Sequence, residues 1–188
     1  MGTEAGPRLP GRIILTGPKH AGKTSVAAAL AHLYRSLWVD LDELIASQNG
    51  KSPRTLYQEG PGVFRKAEAL ALETLLKSGE RGVIAAGGGI IDNEAAAALL
   101  EKAEGLIIIY LDVSAETAWR RIKAQAEKDG ALPPFLNTAR PEETHRELHE
   151  RRAAAYRNLA PLTIRAEGKS PEEIAREISR ALADSGVP

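Results

Sequence analysis

"RIILTGPKHAGKTS", Arg12–Ser25, runs an apolar segment into a loop framed by glycines and then into an alanine-rich stretch. Gly17, Gly22, Lys23 and Thr24 satisfy the spacing G-x-x-x-x-G-K-[ST]. That spacing carries a definite chemistry. Backbone N–H groups of the loop and the N-terminus of the following helix cradle phosphate oxygens. Lys23 is expected to reach the β- and γ-phosphates, and the Thr24 hydroxyl to ligate Mg²⁺. The nucleotide-contacting loop is therefore read as Gly17, Pro18, Lys19, His20, Ala21, Gly22, Lys23, Thr24 and Ser25. A bare glycine turn is the competing reading, and a strand before the loop and a helix after it weigh against that.

Outward from this loop, short apolar runs alternate with longer amphipathic segments, the pattern of a parallel sheet covered by helices. Strands are expected at 12–16, 37–39, 83–86, 106–111 and 162–165, all apolar enough to be buried on both faces. Helices are expected at about 22–34, 61–77, 93–102, 115–128, 141–159 and 171–183. The last opens "SPEE", with Ser170 as N-cap and Pro171 at the first helical position. Residues 1–10 read as a loose tail and 11–188 as a single domain. "KDGALPPFLNTARP" (128–141) is the long internal loop, the core of a lid spanning about 123–141.

In an open parallel sheet, ligands bind beyond the carboxyl ends of the strands. "WVDLDELI" (Trp38–Ile45) puts Asp40 and Asp42 at the end of the second strand, and Gly87, Gly88 and Gly89 follow the third. Asp42 can be a ligand-facing carboxylate or the N-cap of a helix opening with "ELIAS". The glycine triplet can admit a ligand or simply turn. In "VFRKAEALALETLL", Phe64, Ala67, Ala71 and Leu75 form a helical stripe with Arg65 beside it and Glu68 one turn on. Arg65 can be a solvated helix charge or a ligand contact. Arg152 shares an apolar stripe with Leu148, Tyr156 and Leu159, so it needs an anionic or hydrogen-bonding partner. That partner is either an internal carboxylate or a ligand carboxylate gripped bidentately.

Composition narrows the field. Lys plus Arg and Asp plus Glu each number 25, and zero net charge argues against general nucleic-acid binding. There is no cysteine, hence no disulfide framework and no thiolate metal site. No leader pattern and no apolar run of roughly 18 residues is present, so the expectation is a cytoplasmic protein with no membrane partner.

Taken together, the phosphate loop, "VDLDELI", "FRKAE", "GGG", "RR" after the fourth strand, the lid and "ERRAAAYRNLA" resemble shikimate kinase from about residue 12 to 183. The resemblance implies a three-layer α/β fold, a five-stranded parallel sheet flanked by helices, of the P-loop nucleoside-monophosphate-kinase type with a lid loop. It implies phosphorylation of the 3-hydroxyl of shikimate with ATP and Mg²⁺, in aromatic amino-acid biosynthesis; a monomer is the separate expectation for the assembly. By the same resemblance, Lys23 and Asp42 are catalytic, and Asp40 joins Thr24 in the Mg²⁺ shell. Asp42, Arg65, Gly87, Gly88, Gly89 and Arg152 bind substrate, and Arg121 packs near the adenine. Two departures stand out. "PPFL" puts Pro133 where the family pattern R-P-L-L has arginine, and Lys19-His20 replace a small residue and a glycine. Lys19, Lys128 or Arg140 can stand in for the missing cation, with a lowered rate expected. A kinase of another small hydroxy-acid or polyol, such as gluconate, and a degenerate kinase that binds without turnover remain the alternatives.

Overall fold

A computed structural model describes residues 8–184. Among them, β1 (Arg12–Thr16), β2 (Leu37–Asp40), β3 (Gly82–Ala85), β4 (Leu106–Asp112) and β5 (Leu162–Arg165) form one sheet. Its order is β2-β3-β1-β4-β5, and all neighbouring strands run parallel. The helices are α1 (Lys23–Tyr34), α2 (Leu41–Asn49), α3 (Pro53–Glu59), α4 (Pro61–Lys77), α5 (Glu94–Lys102), α6 (Ala115–Asp129), α7 (Pro141–Leu159) and α8 (Pro171–Asp184). Short 3₁₀ turns cover Ile90–Asp92 and Pro134–Leu136.

The period-two alternation of β1 creates the layers. Ile13 and Leu15 join Leu30 of α1 and Ile178 of α8 in one hydrophobic cluster. Ile14 joins Ile45, Leu72, Leu100 and Tyr156, from α2, α4, α5 and α7, in the other. Ile13, Ile14 and Leu15 have no exposed surface, as a central strand buried on both faces requires. The Ser170 cap is formed: its hydroxyl accepts from Glu173 N–H at 3.2 Å, and its own N–H donates to the Glu173 carboxylate.

Three expectations need correction. β2 is the edge strand, with Leu37 67% and Trp38 37% exposed, because an outermost strand lacks the cover its apolar sequence suggests. Of the stretch read as tail, residues 1–7 lie outside the described residues, whereas Leu9 is buried in the core. The segment 128–141 is also not loop throughout, since a 3₁₀ turn covers Pro134–Leu136 within it. Lys128 belongs to α6, and Leu136 is fully buried in a small cluster with Trp119 and Ile122. The Arg54 guanidinium donates to Leu132 O at 3.1 Å and ties the segment to α3. No helix among the described residues is long and apolar enough to cross a membrane.

Candidate active site

The loop after β1 is shaped by its glycines. Gly17 has φ 136°, and a Cβ there would lie 2.5 Å from Leu111 O on the neighbouring strand. Gly22, at φ 94°, turns the chain into α1. His20 takes φ 60°, a left-handed conformation that costs an ordinary residue energy, so something must hold it. Arg121 of α6 does so, its guanidinium donating to His20 O at 2.8 Å. Burial pushes the His20 imidazole down to about 4, with the neighbouring Lys19 and Lys23 acting the same way, so it is neutral at physiological pH.

Lys23 is buried, and its ammonium donates to Gly17 O at 2.9 Å and Pro18 O at 2.8 Å. Burial pushes its pKa down to about 8, partly offset by Asp42. The loop thus encloses its own cation, which entering phosphates can draw away from the carbonyls.

β2 ends on Asp40, which becomes the N-cap of α2. Its Oδ1 accepts from the N–H groups of Asp42 (2.9 Å) and Glu43 (3.4 Å). The cap is therefore Asp40 rather than Asp42. Capping with one oxygen leaves Oδ2 to accept from the Thr24 hydroxyl at 2.6 Å, so the two residues read as metal ligands are in contact. They offer hard oxygen donors, as Mg²⁺ requires when most of its shell is water and phosphate. No cluster of three or more His, Cys, Asp or Glu among the described residues could hold a metal.

Asp42, freed from capping, faces the glycine triplet. A Cβ at Gly87 would meet Glu68 Oε1 at 2.8 Å and Asp42 Oδ1 at 3.4 Å, so the absent side chain makes room for two carboxyls. Burial raises the pKa of Asp42, the negative charge of Asp40 adds to this, and Lys19 and Lys23 oppose it. Glu68 is 1% exposed, and burial raises its pKa to about 7 despite a 2.9 Å hydrogen bond from Asn93 Nδ2 to its Oε2. Its Oε1 has no partner. Glu68 was absent from the residues expected at the site, although a signal existed. It stands four residues after Phe64 and three before Ala71, on the apolar stripe itself.

Arg152 meets Asp92 through Nε at 2.9 Å and Nη2 at 2.7 Å, and its Nη1 donates to Gly88 O at 3.3 Å. The internal ion pair is therefore present. The same guanidinium borders the triplet, since a Cβ at Gly89 would meet its Nη2 at 3.2 Å, and it stacks on Phe135 of the lid segment at 5.5 Å. Arg65 is exposed, and its side chain makes no ion pair among the described residues. It still lies near enough for its charge to act on Glu68.

The shikimate kinase family model matches residues 19–183. A curated shikimate kinase of Streptococcus gordonii is 40% identical over 172 residues, covering 90% of this chain and 98% of that protein. Shikimate kinase from Acinetobacter baumannii, solved in complex with shikimate, superposes with a TM-score of 0.83 at 28% identity. That match covers 95% of this chain and 96% of the other. Shikimate kinase from Aquifex aeolicus gives a TM-score of 0.75 at 27% identity, covering 93% and 97%.

Proposed function

The chain belongs to the shikimate kinase family, and from that premise we propose that this site transfers the γ-phosphoryl group of ATP to the 3-hydroxyl of shikimate. The observation that carries the reading is the meeting, at the ends of β1, β2 and β3, of a phosphate loop, the Asp42–Glu68 carboxyl pair and the Gly87–Gly89 turn bordered by Arg152. Asp42 accepts a hydrogen bond from the acceptor hydroxyl and orients it; its raised pKa suits a group that takes up the proton as the new P–O bond forms. Lys23 exchanges the loop carbonyls for phosphate oxygens and faces the charge that develops there. Thr24 and Asp40 hold the Mg²⁺ shell, and the ion neutralises phosphate charge when bound.

Arg152 and Arg65 bind the carboxylate of the acid substrate. The planar guanidinium of Arg152 is pre-set by Asp92 and Phe135, which supports a fixed grip in place of a flexible one. Gly87, Gly88 and Gly89 line the acceptor pocket, and Arg121 braces the phosphate loop beside the adenine end. Pro133, on the lid segment, brings no charge to the phosphates, so kcat is low for the family while ATP binding is adequate. A coupled assay of ADP release with shikimate, gluconate and no acceptor tests the reading. Shikimate-dependent release is expected. Preferential release with gluconate, or shikimate binding with no release, would replace it by the polyol-kinase or the degenerate reading.

A further inference from the structure

Resting on the kinase reading above, we infer that Lys19 is the catalytic cation that meets the transferring phosphoryl group from the acceptor side. Lys19 lies within the phosphate loop, yet its backbone packs on the other loop of the site. A Cβ at Gly88 would fall 2.7 Å from Lys19 N and 3.0 Å from its Cα. Gly88 thus lets the nucleotide loop and the acceptor-side loop touch, with Lys19 at the junction. The Lys19 Cβ, 3.3 Å from that same point, starts its side chain at this junction of the two loops. Its side chain is half-buried and has no ion pair among the described residues.

The other cations around the site are committed elsewhere or exposed, and Arg65 is assigned above to the substrate carboxylate. His20 is neutral, Arg121 is bound to His20 O, and Arg152 is bound to Asp92. Lys128 is exposed on the last turn of α6, and Arg140 is 80% exposed in its side chain and paired with Glu143 at 3.2 Å. Phosphoryl transfer forms a bond from the acceptor oxygen to the γ-phosphorus and breaks the bond from that phosphorus to the β–γ bridging oxygen. The electron pair of the broken bond stays on ADP, and the hydroxyl proton passes to Asp42 and then to solvent. Negative charge on the γ-oxygens lies throughout beside Asp42, which repels it. A cation between the two lowers that repulsion, and Lys19 starts from the junction of the two loops without an ion-pair partner among the described residues.

The test compares Lys19→Ala, Lys19→Arg, Lys128→Ala and Arg140→Ala, each with and without Pro133→Arg. Two readouts are taken: kcat with shikimate, and the ratio of affinities for a non-hydrolysable ATP analogue and ADP. Lys19→Ala should lower kcat by about 10²–10³. It should also erase most of the preference for the triphosphate, and Lys19→Arg should keep both. Pro133→Arg should rescue Lys19→Ala in part. Lys128→Ala and Arg140→Ala should leave both readouts within twofold. If Lys19→Ala keeps the triphosphate preference, or if the loss falls on Lys128→Ala or Arg140→Ala, the assignment is wrong. The affinity ratio is independent of the acceptor, so it decides the role of Lys19 even if the wild-type protein releases no ADP with shikimate, an outcome that would sink the substrate reading instead.

Discussion

Glu68→Gln isolates the cost of a buried acid at the floor of the site. Glu68 is 1% exposed, and its pKa is raised from 4.5 to about 7, by burial first, with Asp42 adding and Asn93 opposing. The sign follows from proton counting. Above pH 4.5 the unfolded chain releases this proton, whereas the folded chain keeps it until about pH 7. The unfolded state therefore binds fewer protons across that window, and the free energy of unfolding falls as pH rises through it, then levels off. At about 1.4 kcal/mol per pH unit, the loss is on the order of 3 kcal/mol. Glutamine keeps an oxygen to accept from Asn93 Nδ2 and cannot ionise. Urea unfolding of wild type and Glu68→Gln at pH 5, 6, 7 and 8 should thus show the variant gaining on wild type by roughly 2–3 kcal/mol between the extremes. Every other titrating group cancels in that difference to first order. Parallel curves would refute a Glu68 that stays protonated to about pH 7 in the folded protein. A second readout concerns binding: ionised Glu68 competes with a substrate carboxylate for the charges of Arg65 and Arg152. Wild-type affinity for shikimate should therefore weaken as pH passes 7, and the variant should stay level.

Four further outcomes are expected. Lys23→Ala should fold normally and lose at least about 10²–10³ in kcat; near-normal turnover in a folded variant would remove the phosphate-loop assignment. In the wild type, ATP affinity should fall as pH rises through about 8, because phosphates bind the charged form of Lys23, and titration calorimetry should show the matching proton uptake. Asp42→Asn should cripple turnover with little change in ATP affinity, measured by equilibrium binding. Arg65→Ala and Arg152→Ala should each weaken the acid substrate by about 1.5–3 kcal/mol; an Arg152→Ala protein that unfolds while its substrate KM stays intact would assign that residue to the Asp92 pair alone.

The phosphate loop was legible because its constraints are local. Gly17 and Gly22 are needed for backbone angles that the next residues impose, and the strand and helix that flank them announce themselves by apolar period. The exposure of β2 was not legible. Burial of a strand depends on what is laid over it, and nothing within "LWV" says that this strand ends the sheet. α3 escaped, and α2 stood only as one of two readings at "ELIAS", because seven and nine residues leave little room for a helical period to declare itself. The cap shows the same limit at finer scale. Asp40 and Asp42 both precede a helix-forming stretch, and only the backbone at Asp40, extended at φ −87° and ψ 123°, decides which carboxylate turns inward to cap.

That decision gives the pair its division of labour. With Asp40 held by two N–H groups and the Thr24 hydroxyl, its charge is spread over donors on the nucleotide side. Asp42 is left without such donors and is pressed against Gly87 beside Glu68, where burial and like charge raise its pKa. Two aspartates separated by one leucine therefore face different partners because one starts a helix and the other lies inside it. Contacts that cross the chain complete the contrast. Arg152 reaches Asp92 over 60 residues, and Lys19 meets Gly88 between two strand ends. Neither pairing has a periodic signature: the first depends on α7 lying over the turn after β3, and the second on the parallel sheet that brings the loops after β1 and β3 side by side. Removing that closeness with Gly88→Ala, which would force a Cβ against the Lys19 backbone at 2.7 Å, should damage turnover more than stability, because the loops can part but Lys19 then shifts away from the acceptor-side loop.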